Sequence, residues 1–143
     1  MRLSLSHDQF RRAVPALWLF AILNTIFRDL HEMAEASTIQ DILAGQMNGA
    51  PVTDAALLVG GIGITLMLAT MLLSRLASPR VTRWLNLAVV VLAAFGMTLA
   101  PPNDPDDYWF ASVTTLAFAS IFVLSLRVRA SGLGRVQGGL VDG

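Results

Sequence analysis

Between Asn24 and Glu35 the chain gathers the side chains with which it could move a proton: Asn24, Thr25, Arg28, Asp29, His31, Glu32 and Glu35. On a helix, at about 100° per residue, Asn24, Arg28, His31, Glu32 and Glu35 fall within an arc of about 100°, flanked by Thr25 and Asp29. Leu19, Ile22, Leu23, Ile26, Phe27, Leu30 and Met33 fall opposite. Two i,i+4 pairs are expected, Arg28 with Glu32 and His31 with Glu35. Asp29 has no counter-charge along its own helix. A carboxyl without one, in an apolar place, resists ionisation. That is what a general acid needs. Asp29, Glu32 and His31 are therefore the candidate catalytic groups, and Asn24, Arg28 and Glu35 candidate ligand contacts. The plainer reading is a helix end at a membrane boundary, with paired, snorkelling charges.

These residues need an apolar helix to carry them, and the sequence offers four. Apolar runs span Ala13 to Met33, Val52 to Leu73, Val81 to Ala100 and Tyr108 to Leu126. Each is close to the ~20 residues that carry a helix across ~30 Å of hydrocarbon. Backbone groups in lipid must be satisfied internally, so helices are expected and lone strands are not. The composition agrees: 55% of the 143 residues are hydrophobic and 14% charged, against about 25% charged in a soluble domain. If Arg12 marks one boundary, Arg28 and Asp29 lie about 24 Å up the first helix, still inside the far leaflet. Ionisable groups at that depth are paired, face water, or function.

Nine of the ten basic residues, all arginines, fall on one side of a chain that crosses four times; Arg28 is the exception. By the positive-inside rule that side is cytoplasmic, with both termini on it, and the absence of lysine suggests a GC-rich bacterial genome. The other side is acidic, with Asp41, Asp54, Asp104, Asp106 and Asp107. Trp84 marks the basic boundary, Tyr108 and Trp109 the acidic one. The first apolar run lacks a small-x-small cleavage site and reads as a retained anchor.

The connections punctuate this layout. Ser78-Pro79 makes a tight turn, and Pro101-Pro102-Asn103-Asp104-Pro105 cannot continue a helix. Ser37 to Leu43, ending before Gly45, predicts a short interfacial helix with Ile39, Ile42 and Leu43 on its apolar face. The expected fold is all-α: a transmembrane four-helix bundle over residues 1–130 with a short interfacial helix after the first span, then a flexible Gly-rich tail over 131–143.

Other motifs are weaker. Gly60-Gly61-x-Gly63 has no strand before it and is no nucleotide loop; small residues there predict close helix packing. Asn86 predicts an interhelical hydrogen bond. Thr65 and Thr114 are candidate pocket linings. Asp104, Asp106 and Asp107 lack calcium-loop spacing and read as a solvated acidic loop. His7 and His31 fall on opposite sides, and cysteine is absent, so no metal or other cofactor is expected. A net charge of zero without a basic stripe argues against nucleic acid.

Taken in order, Leu17-Trp18-Leu19-Phe20, Leu23-Asn24, Phe27-x-Asp29, Asp41-Ile42-Leu43-Ala44-Gly45, Val52-Thr53, Leu72-Leu73-Ser74-Arg75, Arg83-Trp84-x-Asn86 and Tyr108-Trp109-Phe110-Ala111 resemble a group of small bacterial four-helix membrane proteins of unknown function. The resemblance covers roughly residues 15–125 and implies that Asn24 and Asp29 matter. In that group a Glu stands in the middle of the second helix and another in the fourth. Thr65 and Thr114 stand there here, so the acids around Asp29 would have to take over any carboxylate mechanism. The layout is also similar to emopamil-binding-type isomerase bundles, an analogy of architecture only.

The expectation is an intramembrane pocket for a lipophilic small molecule, with acid–base chemistry of isomerase, cyclase or epoxide-opening type if it is an enzyme. Membrane lipid is the expected partner. The alternatives are a non-catalytic assembly subunit and a small transporter, which would need a homo-oligomer to frame a path.

Overall fold

The computed structural model describes residues 7–47, 49–99, 101–102 and 104–127. The Gly-rich tail and three of the arginines on the basic side, Arg2, Arg129 and Arg135, lie outside these residues.

Four long helices and a short one account for most of the described chain. Helix α1 runs His7–Glu32, α2 Ala36–Leu43, α3 Asp54–Leu76, α4 Pro79–Leu99 and α5 Pro105–Arg127, with a two-residue hairpin, β1 Gln46–Met47 and β2 Ala50–Pro51, between α2 and α3. The four long helices are each long and apolar enough to cross a membrane. Their starts follow local chemistry. The Thr53 hydroxyl accepts from the Ala56 N–H at 3.2 Å and opens α3. The Asp104 carboxylate accepts from the Asp107 N–H at 2.8 Å and opens α5, with Pro105 in the first-turn position where a missing N–H costs nothing. Gly45, with φ 75°, ends the α2 segment, its N–H returning to the Ile42 carbonyl at 2.9 Å.

The hairpin was not expected from the hydropathy pattern. Its strands pair Gln46 with Pro51 and Met47 with Ala50, and Gly49 takes φ 74°. Asn-Gly between short strands is the strongest short-range hairpin signal; here it was hidden in what read as a plain connection. Ile39, Ile42 and Leu43 of α2 are exposed, as an interfacial helix requires.

Helix α1 packs on α5 and α3, and α4 packs on α3 and α5, closing a ring of antiparallel neighbours. The core of this ring is Phe10, Val14, Trp18 and Ile22 of α1, Met67 of α3, Val89 and Val90 of α4, and Ala117, Phe118 and Ile121 of α5. Trp18, fully buried, reaches across the diagonal: its indole N–H donates to Asn86 Oδ1 on α4 at 2.7 Å, and its ring meets Phe118 at 5.8 Å. The Ser74 hydroxyl lies 2.7 Å from the Thr70 carbonyl and 3.1 Å from the same Asn86 oxygen. Asn86 thus makes the interhelical bond its position predicted. At the basic end the Arg11 guanidinium donates to the Arg75 carbonyl, satisfying a carbonyl of the last turn of α3. Arg83 lies over the Trp84 ring at 5.6 Å. Trp84, Tyr108 and Trp109 are all exposed, at the two levels where aromatic belts sit.

Close packing is confined to the half of the bundle nearest the basic end. Buried residues stop at Ile22 on α1, begin only at Met67 on α3, and stop at Val90 on α4; only α5 continues, through Thr114 to Asp107. Every residue from Asp54 to Gly63 is exposed. The glycines of α3 therefore do not serve close packing within the chain, as their sequence suggested: a Cβ at Gly60, Gly61 or Gly63 would meet nothing within 4 Å. Gly60→Ala and Gly61→Ala are expected to raise stability by about 0.5–1 kcal/mol each, because alanine costs less backbone entropy in a helix. Thermal unfolding of the purified variants in detergent measures this; a fall in melting temperature would mean the glycines are packed against something.

Candidate functional site

The charged cluster of α1 meets α5 along one seam. Arg28 grips Asp107 with both forks, Nε to Oδ1 at 2.9 Å and Nη2 to Oδ2 at 3.0 Å. Nη2 also lies 3.0 Å from Glu32 Oε1. The pair is withdrawn from solvent: the Arg28 side chain is 13% and the Asp107 side chain 4% exposed. One turn deeper, the Asn24 amide donates to the Phe110 carbonyl at 2.8 Å and to the Thr114 hydroxyl at 2.6 Å. At the rim His31 Nε2 meets Asp106 Oδ2 at 2.8 Å, with the ring tilted on Phe110 at 6.3 Å.

Two sequence expectations are corrected here. The acids of the last connection do not form a solvated loop. Asp107 is 3% exposed and Asp106 faces His31, because α5 begins at Pro105 and turns both into its first turn, beside α1. His31 does not pair with Glu35, because α1 ends at Glu32 and Glu35 already serves as the residue preceding α2. The i,i+4 geometry is lost at that break. The Arg28–Glu32 pair does form.

Asp29 takes a different place from its neighbours. Thr25 and Asp29 follow Trp18 by seven and eleven residues, which on a helix brings all three within about 20° of one direction. That direction points into the bundle, since Trp18 is buried there. Asp29 is nevertheless exposed, because α3 and α4 no longer close over α1 at its height. Its side chain forms no hydrogen bond or ion pair among the described residues. Thr25 bonds its own helix, to the Ala21 carbonyl at 3.0 Å.

The same reasoning identifies the facing walls. On α3, Gly63, Gly60 and Ala56 continue upward the face that buries Met67 and Thr70, at spacings of four, seven and eleven from Met67. On α4, Ala93 and Met97 continue the face of Asn86 and Val90. Above the packed core, toward the acidic end, these faces carry small residues on α3 and Thr25 and Asp29 on α1; Asp29 and all of α3 from Asp54 to Gly63 are exposed. Of the other candidates, Thr114 is buried against Asn24, while Thr65, His31 and Glu35 are exposed. Asn24, Arg28, Glu32 and Thr114 come together in the seam; Asp29 stands beside it, exposed, and Thr65 is exposed on α3.

Sequence reasoning missed Asp107 as the partner of Arg28. The signal was faint: an acid in the first turn of the last helix, at the height of the only arginine on the acidic side. It also missed Trp18 as the partner of Asn86, although a tryptophan mid-span has an N–H to place.

Electrostatically the cluster is unbalanced. Arg28 faces two carboxylates, Glu32 and Asp107, and Asp29 adds a third. A carboxyl beside apolar surface can exchange a proton with a bound molecule or pair with its polar group. No group of three or more His, Asp or Glu side chains arranged to hold a metal occurs among the described residues.

Neither a curated protein nor a solved structure matches the chain. A family model described as a family of unknown function, DUF6326, matches residues 1–101, which takes in α1 through α4 with Asn24, Arg28 and Asp29. The match spans most of the sequence, and the chain belongs to that family.

Proposed function

We propose that this protein binds a lipophilic small molecule in the crevice between α1, α3 and α4, and that Asp29 is the polar contact, or the acid or base, at its wall. The observation that carries this reading is the mismatch between the two halves of the bundle. The face of α1 that buries Trp18 continues to Thr25, which is half-buried, and Asp29, which is exposed among the described residues, and the facing stretch of α3 offers Gly60 and Gly63 in place of side chains. A crevice of this kind, apolar with a few polar groups, is the usual form of a small-molecule site. Its place in the membrane follows the charge pattern: a bacterial inner membrane, termini cytoplasmic, crevice opening in the outer leaflet.

Native mass spectrometry of protein purified in a mild detergent tests it. The wild type is expected to carry a copurifying lipophile at about one per chain, and Gly60→Leu, which fills the crevice, is expected to lose it. Asp29→Asn is expected to unfold at the wild-type temperature, since Asp29 is exposed and makes no hydrogen bond or ion pair through its side chain among the described residues, while binding the molecule at least several-fold more weakly. Retention of the lipophile by both variants would remove the crevice and Asp29 from any binding role.

A second reading, a non-catalytic assembly subunit, is favoured by the exposure of Gly60, Gly61 and Gly63 on a membrane helix, since such residues suit close helix contact. In that case Gly60→Leu would disrupt an oligomer and leave bound lipophile unchanged.

A further inference from the structure

We propose that the foot of α4 is a docking site for an anionic phospholipid of the leaflet at the basic end of the bundle. Arg80 and Arg83 hold its phosphate, and Trp84, Val91 and Phe95 line its chains. This surface is separate from Asp29 and from the site proposed above.

The charge at the basic end has little answer within the chain. Nine arginines stand on that side of the sequence against two carboxylates, Asp8 and Asp142. The ion pairs among the described residues lie at the other end, on Arg28 and His31. At the start of α4 the Arg80 side chain is exposed and makes no hydrogen bond or ion pair among the described residues. Arg83 is half-buried and meets the Trp84 ring at 5.6 Å. Its Nε is buried without a hydrogen-bond partner among the described residues. Two guanidinium groups three residues apart, committed to no carboxylate, suit a phosphate, whose oxygens accept paired N–H donors.

The same side of the helix supplies the apolar half of a lipid site. Arg80, Arg83 and Trp84 fall within an arc of about 100° on α4. Val91 and Phe95 follow Trp84 by seven and eleven residues and keep its direction to within about 20°. That direction is opposite to the face that buries Thr82, Asn86 and Val90, and Trp84, Val91 and Phe95 are all exposed. From Trp84 to Phe95 the strip rises about 16 Å, the depth of one leaflet in a hydrocarbon core of ~30 Å. Trp84 sits at the level where aromatic rings meet head groups. A zwitterionic lipid would fit the strip but would bring an ammonium to a basic surface; an anionic one brings the missing charge.

Native mass spectrometry of delipidated protein in a neutral detergent tests this, with phosphatidylglycerol and phosphatidylcholine of identical chains supplied in equal amounts. The first lipid bound to the wild type is expected to be phosphatidylglycerol by at least about five-fold. Arg80→Gln, on an exposed side chain that leaves folding unaffected, is expected to reduce that preference at least two-fold, and Arg80→Gln/Arg83→Gln to remove it. Arg11→Gln/Arg12→Gln takes the same charge from α1, across the ring, and is expected to keep it. Glycerophosphoglycerol, the head group without chains, is expected not to displace the lipid at hundred-fold excess. Equal binding of the two lipids, or a preference that survives the Arg80 and Arg83 changes, would overturn the site. An equal loss in the Arg11 and Arg12 variant would show a diffuse basic field in its place, and displacement by the free head group would overturn the role of the apolar strip.

Discussion

Arg28→Met is expected to destabilise the protein by about 3–5 kcal/mol, the range seen when one member of a buried ion pair is removed and the other left uncompensated. The geometry makes this a case of burial and not of surface pairing. The Asp107 side chain is 4% exposed and receives two parallel bonds from Arg28. Without the guanidinium, Asp107 must either ionise with no counter-charge beside Glu32 or take up a proton. Both are costly where hydrocarbon replaces water. The same residue joins α1 to α5 in the half of the bundle where α3 and α4 contribute little, which leaves the Asn24 and His31 contacts to hold that seam. Asp107→Leu in the Arg28→Met background is expected to recover most of the stability, since two apolar groups of fitting size often replace a buried pair at small net cost. Glu32→Gln, which leaves the bidentate pair intact, is expected to cost under about 1 kcal/mol. Denaturant unfolding of the four proteins in one detergent measures the cycle. If Arg28→Met lies within about 0.5 kcal/mol of the wild type, the pair is not a buried structural link.

The contrast between Arg28 and Asp29 shows how far the sequence could be read. The four spans were legible because the requirement that produces them, about twenty apolar residues per crossing, is written in consecutive residues. Their ends were less so: α5 begins at Pro105, before the apolar run, because its cap and first turn are polar. The polar stripe of α1 was legible from its period. The use of each residue in it was not, since that depends on which neighbour lies alongside at which height. The stripe was read as one face toward one pocket. It is divided: Asn24, Arg28 and Glu32 lie along α5, while Asp29 stands beside that seam, exposed. The glycines of α3 mislead for the same reason. Their composition signals close approach, but only the tertiary arrangement decides whether a helix is there to approach, and among the described residues none is.

Trp18→Ala is expected to be as damaging as the loss of Arg28, by a different route. Truncating a buried aromatic side chain costs about 3–5 kcal/mol through lost apolar contact and the cavity left behind. Trp18 is 0% exposed and bridges α1 to α4 across the ring, so the four helices would have to move together to fill the space. A second loss is polar. Asn86, also 0% exposed, would lose the 2.7 Å bond to its oxygen, and its Nδ2 already has no partner among the described residues. The single Ser74 proton, shared with the Thr70 carbonyl, cannot take over. Trp18→Phe separates the two contributions: it keeps most of the ring and removes the N–H, and is expected to cost about 1–3 kcal/mol, the penalty for an unsatisfied buried group with a small cavity. Trp18 and Arg28 are ten residues apart on one helix, about 15 Å, and share no partner, so their effects should add. The sum, about 6–10 kcal/mol, reaches the total stability of a typical domain. Trp18→Ala/Arg28→Met is therefore expected to fail to accumulate as folded protein, while each single variant is recovered with a lowered unfolding midpoint. Recovery of the double variant with a midpoint no lower than that of the worse single one would mean that the packed half and the ion-paired seam are not independent supports of the bundle.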